Sequence, residues 1–164
     1  MITALCVLLL LGMLGAFDTL YYHEWQLRLS STPSAWRELR LHAARDFAYA
    51  ILFGSLAWVT WKGAWMIPLT AILLFEIWVT LTDFVEEDKT RRLPAGERVM
   101  HAVMGIVYGA FLTLFYPYAI EWTRLASGFG AADYGVVSWI LTFFALGVAA
   151  SGVRDLAASA QMAH

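Results

Sequence analysis

Residues 76–92 read EIWVTLTDFVEEDKTRR, a run that sets Glu76 and Asp83 seven residues apart on one face of an apolar helix. Short stretches elsewhere combine acids with imidazoles. DTLYYHE carries Asp18 and His23, HAARD carries His42 and Asp46, and ERVMH carries Glu97 and His101. In the last two the spacing is i,i+4, which puts both side chains on one helical face, able to grip one ion or two neighbouring ions. Carboxylates mixed with imidazoles, with no thiolate among them, suit iron, manganese or zinc.

The expected metal ligands are Asp18, His42, Glu76, Asp83, Glu97 and His101, with His23 and Asp46 as direct or supporting ligands. One or two divalent ions per chain would match that set. Glu76 lies about 10 Å deeper than Asp83 along the helix, so it is also a candidate proton donor. Tyr22, beside the layer, is the other candidate catalytic group, supplying a phenolic proton. Glu38, Glu86, Glu87 and Asp88 lie near helix ends and read as solvated.

The elements that position these residues follow from composition. The chain has 164 residues, of which 60% are hydrophobic and 15% charged, too little polar material to cover a soluble domain. Several runs reach the span of a bilayer, about 20 apolar residues. Helices are the expected form, because a lipid-exposed backbone must satisfy its own hydrogen bonds, and no strict alternation suggests a β-barrel. The fold class is an all-α integral membrane protein of five transmembrane helices in a single domain. The expected helices cover about 2–29, 33–62, 64–89, 94–122 and 134–156, with Pro33 at a helix start and Gly63 as a stop. The first run lacks a basic stretch before it and a cleavage-type site after it, so it is expected to stay as a helix. Cys6 reads as a buried structural thiol.

With five spans, the loop between the first two helices, the loop between the third and fourth, and the C-terminal end share one side. That side holds Arg28, Arg37, Arg40, Arg45, Lys89, Arg91, Arg92, Arg98 and Arg154, against Lys62 and Arg124 on the other. The excess of basic residues predicts an N-terminus outside and a C-terminus in the cytoplasm, as in a bacterial inner membrane. At about 1.5 Å per residue, Asp18 falls roughly 24 Å from the outer end of its helix, His42 roughly 28 Å, Asp83 about 28 Å and His101 roughly 26 Å. Four helices are thus expected to form a bundle with one polar layer near its cytoplasmic end, with the fifth as packing or anchor.

The arrangement is similar in kind to the di-iron carboxylate bundles, in which four helices project Glu and Glu-x-x-His groups inward. It departs from them at ERVMH, one residue longer than that motif, and at HAARD on the second helix. HEW at 23–25 is not H-E-x-x-H, so no zinc-protease motif is present. The resulting expectation is a membrane metalloprotein with a buried one- or two-metal site. It could be a redox enzyme acting on a lipid-soluble substrate or on oxygen. The alternatives are a structural or accessory membrane protein locked by ion pairs to Arg45 and Arg98, a proton or cation transporter, and a b-type haem protein using His42 and His101. Haem sites favour apolar surroundings, which Asp18, Asp46 and Asp83 do not offer. An apolar outer half leaves no evident aqueous path for transport. Membrane lipids are the expected partners, and no basic run with interleaved aromatics suggests nucleic acid.

Overall fold

The apolar runs fold as long helices in the computed structural model, which describes residues 1–162. Helix α1, Ile2–Phe17, continues into a π-helical segment, Asp18–Gln26. Four further helices follow: α2, Trp36–Trp58; α3, Met66–Thr90; α4, Ala95–Thr123; and α5, Val136–Met162. Four segments are long and apolar enough to cross a membrane: Ile2–Gln26, Gly63–Thr90, Ala95–Thr123 and Val136–Met162. Their outward faces carry Ile67, Trp78, Ile106, Val136 and Phe143, all largely exposed, which is the surface of a protein meant for lipid rather than water.

Helix α2 differs from the expected fifth span. It is 23 residues long, but its first half carries Arg37, Glu38, Arg40, Arg45 and Asp46, and it does not reach the apolarity of the other four. Its second half is instead enclosed, with Ala48, Leu52, Phe53 and Leu56 all buried. It packs chiefly against α5 and α3, while α1 packs against α4 and α5. Helix α5, expected to serve as packing or anchor, is the main neighbour of α2. Gly152 explains the close approach. A Cβ built there would meet Asp46 Cβ at 3.1 Å and Ala43 O at 3.3 Å.

Several boundaries shift for local reasons. The first helix ends at Gln26, before Arg28, whose φ of 49° is left-handed and turns the chain. Pro33 opens a short 3₁₀ turn, Pro33–Ala35, and α2 proper starts at Trp36. Gly63 does not stop α2. The chain leaves the helix at Trp58, and Val59–Lys62 (β1) pairs antiparallel with Gly128–Ala131 (β2), Thr60 opposite Gly130. This two-stranded ribbon ties two inter-helical connections together at the end of the bundle remote from the acids. Cys6 is exposed on the apolar surface of α1, not buried.

The apolar core lies between the ribbon and the polar layer, around Leu5, Leu8, Leu52, Phe53, Phe111 and Phe115. If α2 and α5 depend on the missing Cβ at Gly152, a Gly152→Val exchange should destabilise the fold by about 1–3 kcal/mol through overpacking. Thermal unfolding of the detergent-purified chain would measure it, with Gly147→Val as the comparison, since a Cβ there meets nothing within 4 Å.

Candidate metal centre

Each helix that reaches the polar layer brings a pair of groups one turn apart. Glu38 and His42 lie at i,i+4 on α2, Asp83 and Glu87 at i,i+4 on α3, and Glu97 and His101 at i,i+4 on α4. Asp18 and His23 are five apart, and an α-helix would splay them. The π segment closes its turns with i→i+5 bonds, so these two return to the same face. All eight side chains are buried.

The histidines are ringed by carboxylate oxygens. His23 Nε2 lies 3.4 Å from Asp18 Oδ2 and 3.4 Å from Glu97 Oε1. His101 Nε2 is 3.4 Å from the same Asp18 oxygen, and its Nδ1 is 3.5 Å from Glu87 Oε2. His42 Nε2 is 3.2 Å from Asp83 Oδ2 and 4.0 Å from Glu38 Oε1. The His23 and His42 rings stack at 4.5 Å, nearly parallel, and His101 stacks on Phe84.

Most of these approaches are not hydrogen bonds. The Nε2 atoms of His23, His42 and His101, together with Asp18 Oδ1, Asp83 Oδ1 and Glu87 Oε2, are buried without a hydrogen-bond partner. Buried polar atoms are nearly always paired, so six orphans in one layer need a cause. Ligand atoms about 2.1 Å from a tetrahedral ion stand about 3.4 Å from one another. The spacings in the layer match the edges of such a shell, in which donors converge on a cation rather than on each other. Two sets of ligand atoms lie mutually within 4.8 Å: His23, Glu87, Glu97 and His101, and Glu38, His42 and Glu87. Glu87 belongs to both.

Two guanidiniums close the layer. Arg45 Nη1 donates to Asp83 Oδ2 at 2.9 Å. Arg91, extended just beyond the end of α3, donates to both oxygens of Glu97 at 2.7 and 2.9 Å, to Glu38 at 2.8 Å and to Glu87 at 3.3 Å. Burial works against the Arg91 charge, but its bonds to Glu97 and Glu38 outweigh that and hold its pKa above the ordinary value. Five carboxylates, Asp18, Glu38, Asp83, Glu87 and Glu97, thus share this layer with two guanidiniums and three imidazoles. The His23 and His42 rings stack face to face, where two imidazoliums would repel.

Six of the expected residues come together in this layer: Asp18, His23, His42, Asp83, Glu97 and His101. Glu76 does not join them. It accepts hydrogen bonds on Oε1 from Tyr49 at 2.8 Å and Thr80 at 2.9 Å, two turns along α3. Asp46 turns instead towards α5, against Gly152. Tyr22 points its hydroxyl at Gly96, where a Cβ would collide with it, and makes no hydrogen bond to the layer among the described residues. Arg98, expected to lock the layer, reaches only the Leu93 carbonyl among the described residues, at 3.4 Å.

Glu38, Glu87 and Arg91 were not expected here. Glu38 could have been found, because ELRLH repeats the spacing of ERVMH. No protein-family model, curated protein or solved structure matches the chain.

In protein stripped of metal, Arg91→Met should leave Glu38, Glu87 and Glu97 facing one another without a cation. Breaking a buried pair of this kind costs about 3–5 kcal/mol, and a clear fall in melting temperature should follow in detergent.

Proposed function

We propose that the protein is an integral membrane metalloprotein whose layer of carboxylates and imidazoles holds one or two divalent ions. The observation that carries this reading is the set of orphaned, buried imidazole nitrogens facing carboxylate oxygens at coordination-edge distances. His23, Glu97 and His101 would hold one ion with Asp18 nearby, Glu38 and His42 a second near Asp83, and Glu87 could contribute to either. Arg91 would cap the site from the loop side, sharing Glu97 Oε1 with His23 and Glu38 Oε1 with His42. Iron, manganese and zinc all suit this donor set.

Five spans, with the polar layer at the cytoplasmic face of a bacterial inner membrane, complete the reading. Helix α2 would cross with its charged half inside the bundle, shielded from lipid by α3 and α5. The basic residues near the layer support that orientation. Bound iron or manganese would supply redox chemistry and bound zinc Lewis acidity. The chain's own contribution is to hold the ligands in a fixed array, exclude water from them and deliver protons. Glu76, which accepts hydrogen bonds from Tyr49 and Thr80, would relay a proton to or from a lipid-soluble substrate. Oxygen, being lipid-soluble, would reach the layer the same way.

A second reading has one specific support, the gathering of three carboxylates on Arg91. In that case the layer is an ion-pair lock in a structural or accessory protein.

Elemental analysis separates the two. The detergent-purified chain should contain one or two equivalents of a transition metal, and chelation should lower its melting temperature. An ion present at a thousandfold its dissociation constant adds about 4 kcal/mol of stability. Glu87→Gln and His101→Ala should each weaken metal binding. A chain that folds identically with and without chelator, and carries no metal, would leave the lock as the only reading.

Orientation is separately testable by cysteine labelling in cells, on a Cys6→Ser background. Ser127→Cys, next to the ribbon, should react with a membrane-impermeant maleimide from outside. Arg92→Cys should react only after the membrane is opened, and the reverse pattern would overturn the orientation.

A further inference from the structure

A cavity of about 760 Å³ lies among all five helices, immediately beside the polar layer. Its volume falls within the range of small-molecule sites, about 300–1,000 Å³. Asp18 and His101 belong to both the cavity wall and the layer. Leu20, Leu81 and Phe143, all largely exposed, also line it, so it is continuous with the apolar outer surface.

Two features mark it as built for a ligand. Gly15, Gly105, Gly109 and Gly147 line it, and a Cβ at any of them would meet nothing within 4 Å. The space is therefore kept open by absent side chains, with none of these glycines needed for close helix contact. The second feature is polar. Glu76 is 3% exposed and lines the cavity, yet its Oε2 has no hydrogen-bond partner, and neither has Asp18 Oδ1. Both orphans accept hydrogen bonds. The guanidiniums on the wall are engaged elsewhere, Arg45 with Asp83 and Arg154 with Glu24 and Asp155.

We propose that this cavity binds a single-chain lipid whose head donates hydrogen bonds, a long-chain alcohol or amine. The chain would lie along the glycine-lined wall and the head would donate to Glu76 Oε2 and Asp18 Oδ1. An anionic head is disfavoured, because it would face the Glu76 and Asp18 carboxylates while Arg45 and Arg154 are engaged with other acids. That this lipid is the substrate of the adjoining ions rests on the function proposed above; its binding does not.

The test uses the full chain in detergent, stripped of metal, and hexadecanol carrying a diazirine on its chain. Photolabelling should map to cavity residues such as Met104, Leu112, Phe144 and Val148. Unlabelled hexadecanol or hexadecylamine should compete, and hexadecane and palmitate should be at least about tenfold weaker, the worth of one charge-assisted hydrogen bond. Glu76→Gln, which turns an acceptor into a donor, should weaken the label by about tenfold. Gly109→Leu and Gly147→Leu should abolish it in chains that unfold at the wild-type temperature. Equal competition by palmitate or hexadecane would overturn the proposal, as would labelling confined to the outer surface or unchanged by Glu76→Gln. Competition by the alcohol alone or the amine alone identifies which head is bound. Metal analysis of the protein before stripping is independent, so a centre found empty there with a filled cavity would overturn only the metal reading.

Discussion

Negative charge buried in an apolar bundle is the constraint on which the rest of the structure depends. Asp18, Glu38, Asp83, Glu87 and Glu97 are all buried where each ion would be expensive without a partner. The architecture answers by converging cations on them from two directions. Arg45 approaches from inside the bundle, on the helix with the most basic residues, and Arg91 approaches from the loop after α3. This explains why α2 is central. A helix carrying Arg45, Asp46 and His42 cannot face lipid along its whole length, and enclosure by α3 and α5 lets its apolar half serve as core.

The layer itself was legible from helical spacing and depth. A rise of about 1.5 Å per residue brings Asp18, His42, Asp83 and His101 to one level, and those residues do meet. Glu38 and Glu87 were hidden by their position near helix ends, where a carboxylate ordinarily reaches water. Only their partners reveal that water is excluded there. Arg91 was hidden because a loop residue has no periodicity to betray where its side chain goes. Its backbone is extended, at φ −155° and ψ 161°, and that turns the guanidinium back over the layer. The ribbon was hidden for a different reason. VTWK and GFGA are too short to show alternation, and only the packing of the helices sets them side by side.

Glu76 shows how depth and direction are separate pieces of information. Its distance from Asp83 along the helix was read from spacing, and its direction towards Asp83 was inferred from the shared face. Across the bundle, however, Tyr49 stands opposite Glu76 while His42 stands opposite Asp83. Tyr49 and His42 are seven residues apart on α2, as Glu76 and Asp83 are on α3. Two helices in register thus carry two polar stations, one per pair. The deeper station is a phenol–carboxylate pair in an apolar wall, and the shallower one is the ionic layer.

The π segment links those stations. Asp18 is its first residue, and it faces the cavity as well as two histidines. A regular α-helix through residues 18–26 would carry His23 away from Asp18 and remove one imidazole from the layer. Retaining both residues on one face therefore requires the wider turn, whose backbone bonding is poorer than that of an α-helix. Such segments persist where side-chain interactions outweigh the lost regularity. Here the interactions that outweigh it are those of His23 with Asp18 and Glu97, and Asp18 also lines the cavity.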